Sequence, residues 1–258
     1  MKLNAKILTL TLFGLLFSNL YSQENNDPVV NYEENDRSFR LGLVFAPNIS
    51  WLNLNTTGYS SDGARIGFTY GISTEFFLAK NYLLSTGFSI NNIGGKLRYE
   101  SIYDNAGVIA SSEVKQIINI NYVDIPITLK LRTNEIGYLT YYGNFGFNMG
   151  IKYSSKSDFE YLDFNSIKRT DVNTNSSISL ININLVVGGG LEYNISGNTN
   201  LAIGVTFHNG FTNVLRDKTH ELNTIGKALI DSDGKAVYTD KKANATLNYF
   251  SLDLAIYF

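Results

Sequence analysis

The sequence is short of the residues from which many active sites are built. It contains no cysteine, a single tryptophan and only two histidines, His208 and His220, in 258 residues. Without cysteine, the chain can form no disulfide, no thiolate metal site and no lipid-modified N-terminal cysteine. Two isolated histidines do not make a metal site. The sequence therefore predicts no catalytic residue, no cofactor and no metal ion.

Long apolar runs and a strong net charge are also missing. Beyond the N-terminal residues, no stretch approaches the ~20 consecutive apolar residues of a spanning helix, which excludes a helical membrane protein. The formal net charge is -2, so no basic field attracts nucleic acid. With only 3 prolines, 22 glycines and 13% aromatic residues, the composition is typical of many strands with alternating faces.

Residues 1–22 have the pattern of a cleaved signal peptide. Lys2 and Lys6 supply a positive start, residues 7–17 form an apolar core, and residues 18–22 form a cleavage region. An uncleaved anchor helix is the alternative, but the core is too short to span a membrane comfortably. Residues 23–37 are polar and acidic, and they predict a flexible periplasmic segment without a core of its own.

Alternation with period two runs through residues 38–258 and predicts about eight strands. Each strand has one apolar face and one small or polar face; in the first, Leu41 and Leu43 lie opposite Arg40 and Gly42. The predicted strands lie near residues 39–52, 64–79, 82–90, 113–132, 139–151, 181–193, 201–208 and 249–258.

The connections between these strands alternate in length. Short connections are predicted at residues 80–81, 133–137 and 195–199, and long ones at residues 53–63, 100–112, 154–175 and 216–243. Short periplasmic turns and long extracellular loops are typical of outer-membrane barrels. The sequence thus predicts an all-β fold: a transmembrane antiparallel up-and-down β-barrel with an apolar exterior against outer-membrane lipid and a polar interior. Such a protein belongs in the outer membrane of a Gram-negative bacterium.

A soluble lipocalin-like barrel is the alternative architecture. Its apolar face would point inward, and phenylalanines and tyrosines from every strand would crowd a narrow lumen. The nearly uncharged apolar faces favour the membrane barrel instead. Pro126 lies within a predicted strand, where it removes a ladder hydrogen bond, so we expect a local bulge there.

Several inward positions carry ionisable side chains. Because buried charge is costly unless it is paired, we expect these residues to meet in the periplasmic half of the lumen as a structural ion network. Paired carboxylates could also serve acid–base catalysis, but a lumen filled by side chains leaves no path for a substrate. The residues of this interior polar cluster are Arg40, Glu75, Asp124, Lys130, Glu192 and Asp253.

The two histidines receive different predictions. His208 points inward, and we expect it beside Asn184, Tyr249 and Ser251. It is either a hydrogen-bonded interior residue or, in the alternative, part of a lipid-modifying hydrolase. His220 and the charged residues of the segment 216–243 are expected to be solvated.

Three stretches, residues 122–130 (YVDIPITLK), 142–146 (YGNFG) and 249–258, resemble the PorT-type outer-membrane β-barrel family. The resemblance implies a monomeric barrel inserted by the barrel-assembly machinery, with Phe258 completing the insertion signal. Some relatives take part in secretion or gliding machinery, whereas most have no assigned role, and the resemblance carries over no catalytic residue. The expected function is that of a non-catalytic structural or interaction component with an envelope protein partner. A narrow channel for small solutes and the hydrolase are the alternatives.

Overall fold

A computed structural model describes residues 38–105, 108–163 and 167–258. The predicted signal peptide, residues 1–22, and the segment 23–37 lie outside the described residues. The described part of the chain contains no helix long and apolar enough to cross a membrane. Its strands, in chain order, are β1 (Phe39–Leu54), β2 (Tyr59–Gly63), β3 (Arg65–Ala79), β4 (Tyr82–Asn105), β5 (Val108–Arg132), β6 (Leu139–Tyr161), β7 (Ile167–Asn173), β8 (Ile181–Ser196), β9 (Thr199–Gly210), β10 (Lys218–His220), β11 (Tyr238–Lys242) and β12 (Ala245–Tyr257).

Eight of these strands form a closed antiparallel ring. The order around the ring is β4, β3, β1, β12, β9, β8, β6 and β5, and β5 pairs back with β4. Closure leaves no open edge, so backbone N–H and C=O groups find partners within the wall, as a bilayer without water requires. The prediction of an eight-stranded antiparallel barrel is confirmed.

The outer face of the wall is apolar over about the thickness of a membrane. On β6 the outward side chains from Tyr141 to Tyr153 include Phe145, Phe147 and Met149, all of them exposed. The 12 residue steps between the two tyrosines span about 28 Å at ~3.3 Å per residue and a ~45° tilt. This matches an apolar band of about 25 Å with an aromatic residue at each border.

Pro126 interrupts the wall without a bulge, so that expectation was wrong. Pro126 pairs with Asn148 on β6, whereas the ladder to β4 has a gap between the pairs that involve Thr86 and Ser89. The register is the same on both sides of the gap. Proline lacks only the N–H, so the neighbouring residues keep their partners and no extra residue is needed. Pro47 interrupts the β1–β12 ladder in the same way.

The segments 100–112 and 154–175, predicted as loops, are largely strand. β4 and β5 pair as far as Asn105 and Val108, and β6 continues to Tyr161 and pairs with β7. In these extensions the apolar side chains change face: Phe88 is 66% exposed, but Ile93 is 1% exposed. Above the membrane the inner side becomes the buried one, and this burial stabilises the continued ladder.

Replacing Phe147 with arginine tests the position of the membrane. Phe147 lies midway along the outward apolar stretch of β6 and is 55% exposed. Because an arginine at the bilayer midplane costs about 2–4 kcal/mol, Phe147→Arg should lower the free energy of unfolding by this amount. The measurement is urea unfolding in lipid vesicles, followed by the fluorescence of Trp51, the single tryptophan.

The matched control is Thr170→Arg on β7, an exposed position of the extracellular extension. Its unfolding free energy should stay within about 0.5 kcal/mol of the parent protein. Equal effects of the two substitutions would contradict the assignment of the apolar band.

Candidate functional site

A charged cluster crosses the lumen near the periplasmic ends of the strands. Arg40 on β1 donates to Glu75 Oε2 at 2.7 Å and to both carboxylate oxygens of Glu192 at 2.5 and 3.0 Å. Lys130 Nζ lies 2.8 Å from Glu75 Oε1 and 2.5 Å from Glu192 Oε1. Four of the six predicted interior residues are therefore brought together, and all four are buried.

A fifth charged residue joins this cluster, although sequence reasoning missed it. Arg132 lies 3.2 Å from Glu192. The available signal was its spacing of two residues from Lys130 on the same strand face. Three cations and two carboxylates give the cluster a net charge of +1. The ring of Tyr257 lies 4.4 Å from the Arg40 guanidinium, and that of Tyr142 lies 4.2 Å from Lys130 Nζ, so aromatic faces help to offset the extra charge.

Asp124 and Asp253 are not part of the cluster, contrary to the prediction. Asp124 lies six residues from Lys130 along β5, or about 20 Å at the rise of a strand. It accepts hydrogen bonds from Asn91 at 2.7 Å and Asn148 at 2.8 Å. Asp253 accepts a hydrogen bond from Ser251 Oγ at 2.7 Å and another from Thr206. Neutral amides and hydroxyls, rather than opposite charges, hold these two carboxyl groups.

A cavity of about 160 Å³ lies inside the barrel, and His208 lines it. The imidazole stacks on Tyr249 with ring centroids 4.0 Å apart, which confirms that neighbour. His208 lies on β9, and its partner on the neighbouring strand β8 is Val186. Asn184 is therefore not the predicted neighbour, because the register places it opposite Gly210.

The prediction that His208 is hydrogen-bonded was wrong. Within the described residues, its Nδ1 has no partner, and the Ser251 hydroxyl donates to Asp253 instead. The lumen thus holds no serine–histidine pair among the residues that the structure describes.

An apolar plug closes the extracellular mouth of the barrel. Loop residues Ile178, Val214, Leu215 and Ala243 pack against inward side chains of the wall. Those wall residues are Leu52, Ile93, Leu97, Ile118, Ile120, Tyr122, Ala245, Leu247 and Tyr249. Lys152 on β6 holds the plug from below by donating to the Ile178 carbonyl at 2.7 Å. The lumen is thus closed by charges at one end and by apolar side chains at the other.

His220 in the long segment 216–243 is packed rather than solvated, which corrects the prediction for this residue. The prediction is confirmed for the exposed charged residues Asp231, Asp233, Lys235, Asp240, Lys241 and Lys242. The β10–β11 hairpin of this segment carries His220, whose Nε2 lies 3.2 Å from Ser101 Oγ on β4 and whose ring packs on Tyr238. Lys227 in the same segment donates to Asp163 at 3.0 Å and to Glu100 at 3.1 Å. The hydrogen bond from Lys227 holds the pKa of Asp163 below its ordinary value. Bonds between loops keep the segment in place over the barrel.

The family model described as "Outer membrane protein beta-barrel domain" matches residues 21–216. The chain belongs to this family. It is therefore an outer-membrane β-barrel protein, and both the predicted fold class and the predicted location are confirmed. No match is found among curated proteins.

Several solved barrels resemble this member of the family at low sequence identity. Neisserial surface protein A is 11% identical with a TM-score of 0.41, over 86% of this chain and 98% of that one. The attachment invasion locus protein Ail of Yersinia pestis is 11% identical with a TM-score of 0.35, over 85% and 97%. OprG of Pseudomonas aeruginosa is 10% identical with a TM-score of 0.37, over 85% and 94%. These likenesses are too distant to assign a role.

Removal of Glu192 tests the energetic weight of the charged cluster. Glu192 contacts Arg40, Lys130 and Arg132, so Glu192→Ala leaves three cations with one carboxylate in a closed lumen. Breaking a buried ion pair costs about 3–5 kcal/mol, and we expect a loss of this size in the free energy of unfolding.

Glu160→Ala is the matched control, because Glu160 pairs with Lys168 at 3.3 Å on the water-exposed extension. Its cost should be below about 1 kcal/mol. Urea unfolding in vesicles compares the two variants, and similar losses would show that the lumen is open to water around the cluster.

Proposed function

We propose that the protein is a non-catalytic outer-membrane barrel with a structural or interactive role, exercised through the part above the membrane. The observation that carries the proposal is the amount of ordered structure there. β4, β5 and β6 have 24, 25 and 23 residues. A barrel strand needs only about 9–11 residues to cross the bilayer, so each of these strands extends well beyond it.

The extracellular extension of the strands supports this proposal because it is a continuous sheet that carries charged side chains. β2, β4, β5, β6 and β7 lie side by side in it. On this sheet Asp62 contacts Lys115 at 2.8 Å and Arg98 at 2.5 Å. The hydrogen bond from Lys115, with that from Arg98, lowers the pKa of Asp62, so this group stays ionised at neutral pH. A partner that binds a preformed surface pays little for ordering it.

The closed lumen argues against the channel alternative. A solute would have to pass the five-residue charged cluster and then the apolar plug, where Ile118 and Ile120 are 0% exposed. Conduction requires a continuous aqueous path with sites from which the solute can leave. The interaction role needs no such path.

The hydrolase alternative is opposed by the surroundings of His208. A hydrolase of membrane lipid must present its nucleophile to the lipid, whereas His208 faces the inner cavity and stacks on Tyr249. We therefore expect His208→Ala to leave the lipid profile of the outer membrane unchanged. The measurement is mass spectrometry of lipids from cells that carry only the variant, and the loss of a lipid species would support the hydrolase.

The resemblance to the PorT-type family favours a partner within the envelope. In this proposal, residues 1–22 direct export, the barrel-assembly machinery reads Phe258, and outer-membrane lipid surrounds the wall. A secretion or gliding machine would then be contacted through residues 23–37 or through the extracellular sheet. The two routes are separable by deletion.

The decisive experiment is co-purification of the tagged protein from outer membranes in mild detergent. In one variant, Asn-Gly replaces residues 101–112, which leaves the paired Glu100 and Glu113 joined by a tight turn. In a second variant, residues 23–37 are deleted. We expect a stoichiometric partner with the parent protein and its loss in one of the two variants.

Altered gel migration before and after boiling serves as the folding control for both variants. A parent protein recovered alone, even after crosslinking in intact cells, would contradict the interaction role.

A further inference from the structure

A second cavity, of about 490 Å³, lies above the apolar plug on the extracellular side. It is bounded by residues of β2, β4 and β5 and by the β10–β11 hairpin. Leu97, Ile178, Leu215 and Ala243 line it together with Tyr59, Tyr99 and Tyr238. The remaining six lining residues are polar or charged: Ser101, Gln116, Ser177, Asp217, Lys218 and His220. A cavity of this volume that combines an apolar and aromatic wall with polar groups can hold a small molecule.

The tyrosines give this cavity an aromatic wall. Tyr59 and Tyr99 stack with ring centroids 4.8 Å apart and planes within 4° of parallel. Tyr238 packs on His220 at 4.7 Å and is still 54% exposed. Burial raises the pKa of Tyr59 to about 12, so its ring stays neutral at physiological pH. Neutral tyrosine rings attract cations through their negative faces.

The charges around the cavity leave an unpaired carboxylate. Lys218 and Asp217 both line it, and Lys218 Nζ lies 3.2 Å from Asp240. Asp217 forms no ion pair or side-chain hydrogen bond with another residue of the described ranges. Burial lowers the pKa of His220, which favours its neutral form. Because Lys218 pairs with Asp240, Asp217 is left as the lining carboxylate without an ion-pair partner among the described residues.

Ser101 and His220, 3.2 Å apart, also line this cavity. Such a pair could serve acyl transfer if a third group oriented the imidazole and stabilised its charged form. In the described parts of the chain, His220 Nδ1 has no hydrogen-bond partner. The arrangement therefore favours binding over catalysis.

We propose that the extracellular cavity binds an organic monocation with an apolar body, of the quaternary ammonium class. The cation would lie against the tyrosine wall and near Asp217, and the apolar body would rest on Leu97, Ile178 and Leu215. This site does not depend on the protein partner proposed above.

The experiment is isothermal titration calorimetry of the folded full-length barrel in a polyoxyethylene detergent, which carries no choline headgroup. The probes are choline, its neutral isostere 3,3-dimethyl-1-butanol and the anion 3,3-dimethylbutyrate. We expect choline to bind about tenfold more tightly than the neutral alcohol, and the anion to bind least. Equal binding of choline and the alcohol, tighter binding of the anion, or no binding of any probe would overturn the proposal.

Two pairs of variants locate the site. Asp217→Asn should reduce choline affinity to that of the neutral alcohol, whereas Asp233→Asn, an exposed aspartate outside the cavity, should leave it unchanged. Tyr238→Phe should retain the preference for choline, and Tyr238→Leu should weaken it, because only phenylalanine keeps an aromatic face. Equal choline affinity in Asp217→Asn and Asp233→Asn would place the binding elsewhere and reject the site.

Discussion

The absence of water from the bilayer core is the constraint on which the rest of this structure depends. Backbone groups in the apolar band need partners from neighbouring strands, and only closure of the ring by the β4–β5 pair supplies them all the way round. Closure also divides the side chains into those that face lipid and those that face the lumen. The period-two pattern of the sequence is the direct consequence, because one residue in two must be apolar.

Closure creates a second constraint, since a narrow lumen must be filled. The inward side chains fill the lumen in three layers. The charged cluster lies near the periplasmic end, and amide and hydroxyl groups surround Asp124 and Asp253 above it. The apolar plug forms the third layer, at the extracellular end. The lower layer concentrates opposite charges, so each buried ion finds a partner. The middle layer satisfies its carboxyl groups with neutral donors, and it therefore needs no further cation.

The barrel was predictable from the sequence because its cause is local. Alternation along each strand identifies the lipid face, and the short turns fix which strands are neighbours. Arg40, Glu75, Lys130 and Glu192 were found in this way, since facing inward near strand ends is a property of one strand at a time. The separate positions of Asp124 and Asp253 were not found, because height in the barrel depends on the stagger between strands, which sequence alternation does not reveal.

The strand extensions above the membrane and the packing of the segment 216–243 were not predicted, for a related reason. The alternation continues through β4 and β5, but its phase changes, so that Ile90 faces lipid while Ile93 and Ile118 are buried inside. The odd spacing from Ile90 to Ile93 was a readable sign of this change. The packing of His220 against Ser101 joins residues 119 positions apart, and no local pattern encodes such a contact.

The change of face of the apolar side chains also means that the same residues close the lumen and line the extracellular cavity. Ile178, Leu215 and Ala243 of the apolar plug line the extracellular cavity, together with Leu97 of the wall on which the plug packs. A contact that closes the barrel therefore also forms part of the cavity lining. Because the plug packs on wall strands whose registers are fixed by the closed ring, the cavity is built directly on that ring. A preformed site of the kind proposed would bind its ligand without the cost of ordering its own residues.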